Sequence, residues 1–77
     1  MIWTLVKRLD RVFTVLTIYN LLGQEVRTLV NGRQAPGQYD VRWDGRDRSG
    51  RRVNSGMYLY RLKTGSRSES RKMLLLR

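Results

Sequence analysis

The sequence contains no cysteine and no histidine among its 77 residues. The first absence excludes disulfide bonds and thiolate nucleophiles, and the second removes the commonest general base and metal ligand of proteins. A chain of this length forms one domain at most, and folding buries only about 60–65% of the surface that the unfolded chain exposes. We therefore expect a small, modestly stable domain that is not an enzyme and holds no cofactor.

Long apolar runs are also missing. No stretch approaches the roughly 18–20 apolar residues that a transmembrane helix needs. The apolar opening from Met1 to Val6 is too short for the apolar core of a signal peptide, and Lys7 and Arg8 follow it where they should precede it. Export of this chain would therefore need a signal located elsewhere in a longer protein.

Acidic residues are few: 6 Asp and Glu against 16 Lys and Arg give a formal net charge of +10. Such a surface attracts polyanions, including nucleic acid, lipopolysaccharide and anionic membranes. The cations are scattered through every segment, and neither a recognition helix nor a ribonucleoprotein-type aromatic motif accompanies them. We expect weak binding to polyanions at most and no specific nucleic-acid partner.

Alternating and β-branched segments predict an all-β fold. Turn signals separate the segments, and crossover connections for parallel strands are too long to fit between them, so an antiparallel sandwich or meander is expected. Glu25 to Val30 would also suit a short amphipathic helix, but a strand that ends at the turn signal Asn31-Gly32 is preferred. The five predicted strands are Val12 to Tyr19, Glu25 to Val30, Gln38 to Trp43, Met57 to Lys63 and Arg67 to Leu76.

Alternation also predicts which side chains face inward. Tyr39, Val41 and Trp43 share one face of their strand, so Trp43 is interpreted as a core residue rather than a platform for a stacked ligand. Tyr58 and Tyr60 share the inward face of the next strand. The last two strands are expected to pair, which would gather a basic strip beside the C-terminus: Arg61, Lys63, Arg71 and Lys72.

The polar string from Asp44 to Gly50 is the best candidate for a ligand site. Asp44 and Asp47 could chelate calcium, but the dense alternation of oxygen donors that a calcium loop requires is absent and several arginines lie close by. A hydrolytic pair would need a cleft that separates the two pKa values, which a domain this small rarely builds. Capping of turns through the carboxylates is the preferred interpretation.

Several short motifs follow one another in fixed order: Ile18 to Val26, Gly37, Trp43-Asp44-Gly45-Arg46-Asp47, Gly50, Val53, Ser55-Gly56, Tyr58, Tyr60-Arg61 and Arg71 to Arg77. This pattern resembles the type A C-terminal sorting domain of proteins secreted by the type IX, or Por, system. The Ig-like domain of flagellar hook-capping proteins (FlgD-like) shares the pattern. The resemblance implies an Ig-like β-sandwich at the end of a larger exported cargo.

The opening of the chain departs from this family. Members usually begin with an Asn-Pro-Phe-Asn-type segment and a first strand, which this chain lacks, so a gene fragment is suspected. We divide the chain into an atypical N-terminal segment, residues 1–11, and an Ig-like sorting domain, residues 12–77. Trp3, Leu5 and Leu9 could form a substitute strand, but the sequence is equally compatible with an incomplete sheet that has an exposed edge.

The resemblance implies a sorting and translocation signal that carries a covalently linked cargo to the cell surface. Its partners would be components of the outer-membrane translocon, reached through the last strand: Lys72, Met73, Leu74, Leu75, Leu76 and Arg77. The blander interpretation is that Met73 and Leu75 only close the sandwich. The alternative function is a structural Ig-like module of the hook-capping kind, which would hold neighbouring subunits together.

Overall fold

The computed structural model describes residues 2–5 and 11–76, and every regular element in that part of the chain is a β-strand. The predicted all-β, Ig-like sandwich is confirmed: two antiparallel sheets lie together, with no helix in the described residues. None of these residues therefore forms a helix able to cross a membrane. The strands are β1 (Ile2–Leu5), β2 (Val12–Tyr19), β3 (Glu25–Gln34), β4 (Gly37–Asp40), β5 (Gly56–Thr64) and β6 (Arg67–Leu75).

The larger sheet has four strands in the order β3-β2-β5-β6, and each neighbouring pair is antiparallel. Its centre is β2, whose β-branched and aromatic residues suit a strand with neighbours on both sides. Thr14, Leu16 and Ile18 alternate along β2 and are fully buried on the inner face. Leu62 of β5 lies directly opposite Leu16 and is buried as well.

The smaller sheet contains β1 and β4. Trp3 lies opposite Tyr39 in the antiparallel register, and their rings stack with centroids 4.5 Å apart. Leu5, two residues along β1, is buried. The sequence predicted that the family's first strand would be missing, with a substitute strand as one possibility. The structure shows such a strand at Ile2–Leu5, while Leu9 lies outside the described residues.

Two predictions about the segment that forms β3 need correction, one of a turn and one of a helix. Asn31 and Gly32 do not form a turn: both lie inside β3, where Gly32 pairs with Thr14. The alternative of a short helix before them is wrong, since Val26 is buried within the strand and Leu22 is 85% exposed in the turn ahead of it. Two register shifts in the β2–β3 pair let the longer strand follow the twist of the sheet.

The strand predicted from Gln38 to Trp43 is shorter than expected, because β4 ends at Asp40. Trp43 nevertheless reaches the core from the following loop. The buried cluster consists of Ile18, Val26 and Tyr58, and half-buried side chains pack against it: Leu29, Trp43, Val53, Tyr60, Met73 and Leu75. Full burial of one such apolar side chain stabilises the fold by about 1.5–3 kcal/mol, so this cluster is a major source of stability.

Candidate interaction surface

The loop from Trp43 to Gly56, which carries the most distinctive motif of the sequence, closes one end of the sandwich. Trp43 is half-buried, and its ring meets the Tyr58 ring edge to face with centroids 5.1 Å apart. The indole Nε1 donates a hydrogen bond to the carbonyl oxygen of Arg46 at 2.8 Å. Trp43 therefore anchors the loop to the core, as the core interpretation expected.

Asp44 fixes the first turn of this loop. Its Oδ1 accepts hydrogen bonds from the backbone N–H of Arg46 and from Nη1 of Arg27, the latter at 2.8 Å. Partial desolvation raises the pKa of Asp44, but the Arg46 N–H and the Arg27 guanidinium outweigh it and hold the pKa below its usual value. The carboxylate thus links the loop to β3.

Asp47 caps the second turn. Its Oδ1 accepts hydrogen bonds from the Ser49 hydroxyl at 2.6 Å and from the backbone N–H groups of Ser49 and Arg51. The Ser49 hydrogen bond lowers the pKa of Asp47 most, and the two backbone donors add to it against partial desolvation. Both carboxylates therefore occupy the turn-capping positions that the sequence analysis preferred. The described residues contain no cluster of three or more acidic side chains able to hold a metal ion.

Glycines allow the loop to reverse direction. Gly45 and Gly50 have φ values of 75° and 87°, which side chains with a Cβ rarely adopt. Gly45 is buried, and its carbonyl oxygen accepts a hydrogen bond from the N–H of Val53 at 2.9 Å. Gly56, with φ of 149°, then begins β5. The motif glycines thus serve the shape of the loop rather than a ligand.

Tyr58 and Tyr60 both face inward, as predicted. Tyr58 is buried, and its hydroxyl donates a hydrogen bond to the carbonyl oxygen of Asn54 at 2.6 Å. Tyr60 is half-buried against the same cluster and lies opposite Ile18. These two side chains pack β5 against the core and the loop.

The last strand, β6, lies at the edge of the larger sheet and its side chains divide between two faces. Met73 and Leu75 face inward and pack against the core, so they help to close the sandwich. Lys72 and Leu74 point to the outer face and are exposed, and Leu76, just beyond the strand, is exposed as well. Arg77 lies outside the described residues. Two residues of the six-residue candidate sorting segment are therefore structural, and three are exposed to a partner.

The expected basic strip divides in the same way. The register places Arg61, Lys63 and Lys72 on the outer face of the sheet. Arg71 lies opposite Tyr60 on the inner face instead, and its guanidinium forms an ion pair with Glu69 at 3.2 Å. The pairing of β5 with β6 is as predicted, but a single basic strip is wrong because alternation sends neighbouring residues to opposite faces.

Exposed apolar side chains gather at one end of the larger sheet. Met57 and Leu74 are direct cross-strand neighbours on the outer face, 40% and 58% exposed. Leu76 is 77% exposed beyond them, and Leu21 and Leu22 are 62% and 85% exposed in the β2–β3 turn at the same end. We call this surface the apolar end: Leu21, Leu22, Met57, Leu74 and Leu76. Exposed apolar groups that gather in one region in this way favour an interaction site.

Sequence analysis identified only part of the apolar end. It singled out Leu74 and Leu76 but gave Leu21, Leu22 and Met57 no role at the surface. Asn20 was the sequence signal for the exposed turn, and its Oδ1 accepts hydrogen bonds from the N–H groups of Leu22 and Gln24. An asparagine three residues before Gly23 is typical of a capped turn, which exposes the residues between them.

One family model matches the chain, that of the FlgD Ig-like domain, over residues 5–68. The match includes the loop from Trp43 to Gly56 and ends before the exposed residues Lys72, Leu74 and Leu76. No curated protein and no solved structure shows a significant match. The family match covers well over half of the chain and agrees with the two-sheet architecture. The chain therefore belongs to the FlgD Ig-like domain family.

Proposed function

We propose that the chain is a non-catalytic interaction module of the hook-capping kind, which docks on a neighbouring subunit through its apolar end. The observation that carries this proposal is the exposure of five apolar side chains at one end of the larger sheet. Docking would remove them from water at about 25 cal/mol per Å² of apolar area. The carboxylates of Asp44 and Asp47 are engaged as hydrogen-bond acceptors in turns, which supports a role without catalysis.

Two cations lie on the same face as Met57 and Leu74 and would orient the partner. Lys72 and Arg61 are exposed on the same outer face, and Arg61 also lies over the Tyr19 ring, 5.7 Å from its centroid. A docking surface with an apolar centre and a charged rim takes its affinity from the centre and its orientation from the rim. A partner with an apolar patch bordered by acidic residues would fit best.

The test is a domain replacement in a flagellated host. Residues 1–77 of this chain replace the Ig-like domain of the host's own hook-capping protein, and hook assembly and swimming are measured. The double substitution Met57→Lys with Leu74→Lys should abolish function, because it places two charges in the centre of the proposed contact. Ser68→Lys with Ser70→Lys is the matched control: it adds the same charge to the outer face of β6, away from the apolar end.

The two variants separate docking from folding. Both pairs of residues are exposed, so both variants should fold with circular dichroism spectra like that of the parent chain. Loss of hook assembly in the first variant alone supports docking through the apolar end. Equal performance of the two variants would contradict it, whether both assemble hooks or neither does.

A second candidate function is sorting by the type IX system, in which the chain directs a linked cargo across the outer membrane to the cell surface. The placement of Lys72 and Leu74 supports it, since these residues of the sorting-like segment lie exposed on an edge strand, with Leu76 exposed just beyond its end. The unpaired backbone groups of β6 would also let a translocon component add a strand there.

Export of a fusion protein tests this second candidate. Residues 1–77 are placed behind a reporter that carries a Sec signal, in a host with type IX machinery. Surface display is expected for the parent sequence and its loss for Lys72→Ala, while Lys63→Ala, an exposed cation on the same face of β5, should leave display unchanged. A parent fusion that stays in the periplasm would overturn the sorting proposal and leave the hook-capping proposal standing.

A further inference from the structure

The two sheets of the sandwich are unequal. Four strands form the larger sheet, whereas the smaller sheet consists of β1 and β4 alone in the described part of the chain. β4 occupies one edge of β1, and the opposite edge of β1 has no strand beside it among these residues. The free edge presents unpaired backbone N–H and C=O groups, which are a template for another strand.

A groove lies beside this free edge. It consists of two adjoining cavities of about 360 and 370 Å³, which share Thr4, Leu62 and Glu69 in their walls. Both volumes fall in the range of about 300–1,000 Å³ that is typical of binding clefts. The described walls come from β1, β5 and β6, and β4 contributes nothing to them. The groove therefore follows the vacant side of β1.

One hydrogen-bond donor in this groove lacks an acceptor. The indole Nε1 of Trp3 is buried, and no acceptor lies within reach of it among the described residues. The other tryptophan, Trp43, donates to the Arg46 carbonyl. A buried donor without a partner destabilises the fold, so an occupant that supplies an oxygen at this point would bind more favourably.

The charge in the groove is positive. The register places Arg67, Glu69 and Arg71 on the inner face of β6, and Glu69 is paired with Arg71. Arg67 is exposed and makes no ion pair with any described residue. The groove thus has an unpaired guanidinium, in a chain of net charge +10. A second copy would bring the same positive charge, which disfavours self-association there.

We propose that this groove binds an extended acidic peptide segment of another protein, which adds a third strand to β1. Backbone hydrogen bonds to the free edge would supply affinity, as in other cases of strand addition. An acidic side chain would pair with Arg67, and a side-chain or backbone oxygen would accept the Trp3 N–H. The groove is separate from the apolar end, so this inference does not depend on the proposed function.

The test uses synthetic peptides and the isotope-labelled chain in NMR. The probe is a capped peptide of about six residues that alternates glutamate and valine, the length of an ordinary strand. The backbone amides of Trp3 and Thr4 and the Trp3 indole N–H should shift and saturate on titration. Arg67→Glu should weaken binding about fivefold. Arg33→Glu, the same change at an exposed position of β3, should weaken it about twofold or less.

A second probe separates strand addition from simple attraction between charges. It has the same side chains, but alternate backbone nitrogens are methylated along the edge that would face β1, which blocks pairing and keeps the charge. The proposal expects this peptide not to bind. It is overturned by equal binding of both peptides, by equal effects of Arg67→Glu and Arg33→Glu, by shifts confined to β3 or β6, or by shifts at β1 that appear on concentrating the chain alone.

Discussion

The two tryptophans offer a sharp test of the packing described above. Trp43 and Trp3 are both half-buried, and each contacts a tyrosine ring. They differ in hydrogen bonding, because Trp43 Nε1 donates to the Arg46 carbonyl and Trp3 Nε1 has no acceptor among the described residues. Replacement by phenylalanine removes the N–H group in both cases and keeps an aromatic ring.

The expected costs follow from these contacts. Trp43→Phe loses a hydrogen bond worth about 1 kcal/mol and leaves the Arg46 carbonyl without its donor. Trp3→Phe breaks no hydrogen bond within the described residues and removes a buried orphan donor, so it should cost about 1 kcal/mol less than Trp43→Phe. Trp43→Ala also loses the edge-to-face contact with Tyr58 and should cost about 3 kcal/mol, the lower end of the range for large aromatic residues.

Urea denaturation followed by far-UV circular dichroism measures these differences. A domain this small is expected to have a free energy of unfolding of about 5 kcal/mol, so Trp43→Ala should remain folded but unfold at much lower urea. The reasoning is refuted if Trp3→Phe costs as much as Trp43→Phe. It is also refuted if Trp43→Ala lowers the free energy of unfolding by less than about 1 kcal/mol while the slope of that free energy against urea concentration stays unchanged.

Further predictions concern stability at low pH, the backbone conformation of two glycines and binding to DNA. Because the pKa values of Asp44 and Asp47 are lowered in the fold, their stabilisation is complete above the unfolded pKa of about 3.9 and is lost as the pH falls through the folded values. Asp47→Asn should therefore reduce the loss of stability between pH 5 and pH 2, and an unchanged loss would contradict this. Gly23→Ala should cost about 1 kcal/mol because φ at Gly23 is 82°, whereas Gly32→Ala, in open space within β3, should be neutral or stabilising; equal melting temperatures would count against the turn geometry. Binding to duplex DNA should be sequence-independent, with dissociation constants on the order of 10⁻⁴–10⁻⁶ M that rise steeply with salt, and tight sequence-dependent binding would disprove it.

Local patterns in the sequence were sufficient to predict much of the fold. The alternation in Met57 to Lys63 predicted both the strand and its inward tyrosines, because one face of β5 packs on the core. The Asp-Gly motif predicted the capped turns, since a carboxylate two residues ahead of a backbone N–H needs no distant partner. Such features depend on residues that are close in sequence.

Features that depend on distant partners were less predictable. Asn31-Gly32 has the composition of a turn, but pairing with Thr14 and Val15 keeps it extended. β4 ends at Asp40 although alternation continues to Trp43, because Trp43 binds its own loop instead. The apolar end combines a turn with two strands, and neither its position nor the groove beside β1 follows from any single segment.

The most direct test of the central claim is site-specific photo-cross-linking in the flagellated host that carries the domain replacement. A photoreactive benzophenone amino acid is placed at Leu74, on the apolar end, or at Ser68, on the same face of β6 and away from it. The account predicts that position 74 cross-links to an adjacent subunit of the hook or its cap, and that position 68 does not. It is contradicted if neither position cross-links to such a subunit or if both do so equally.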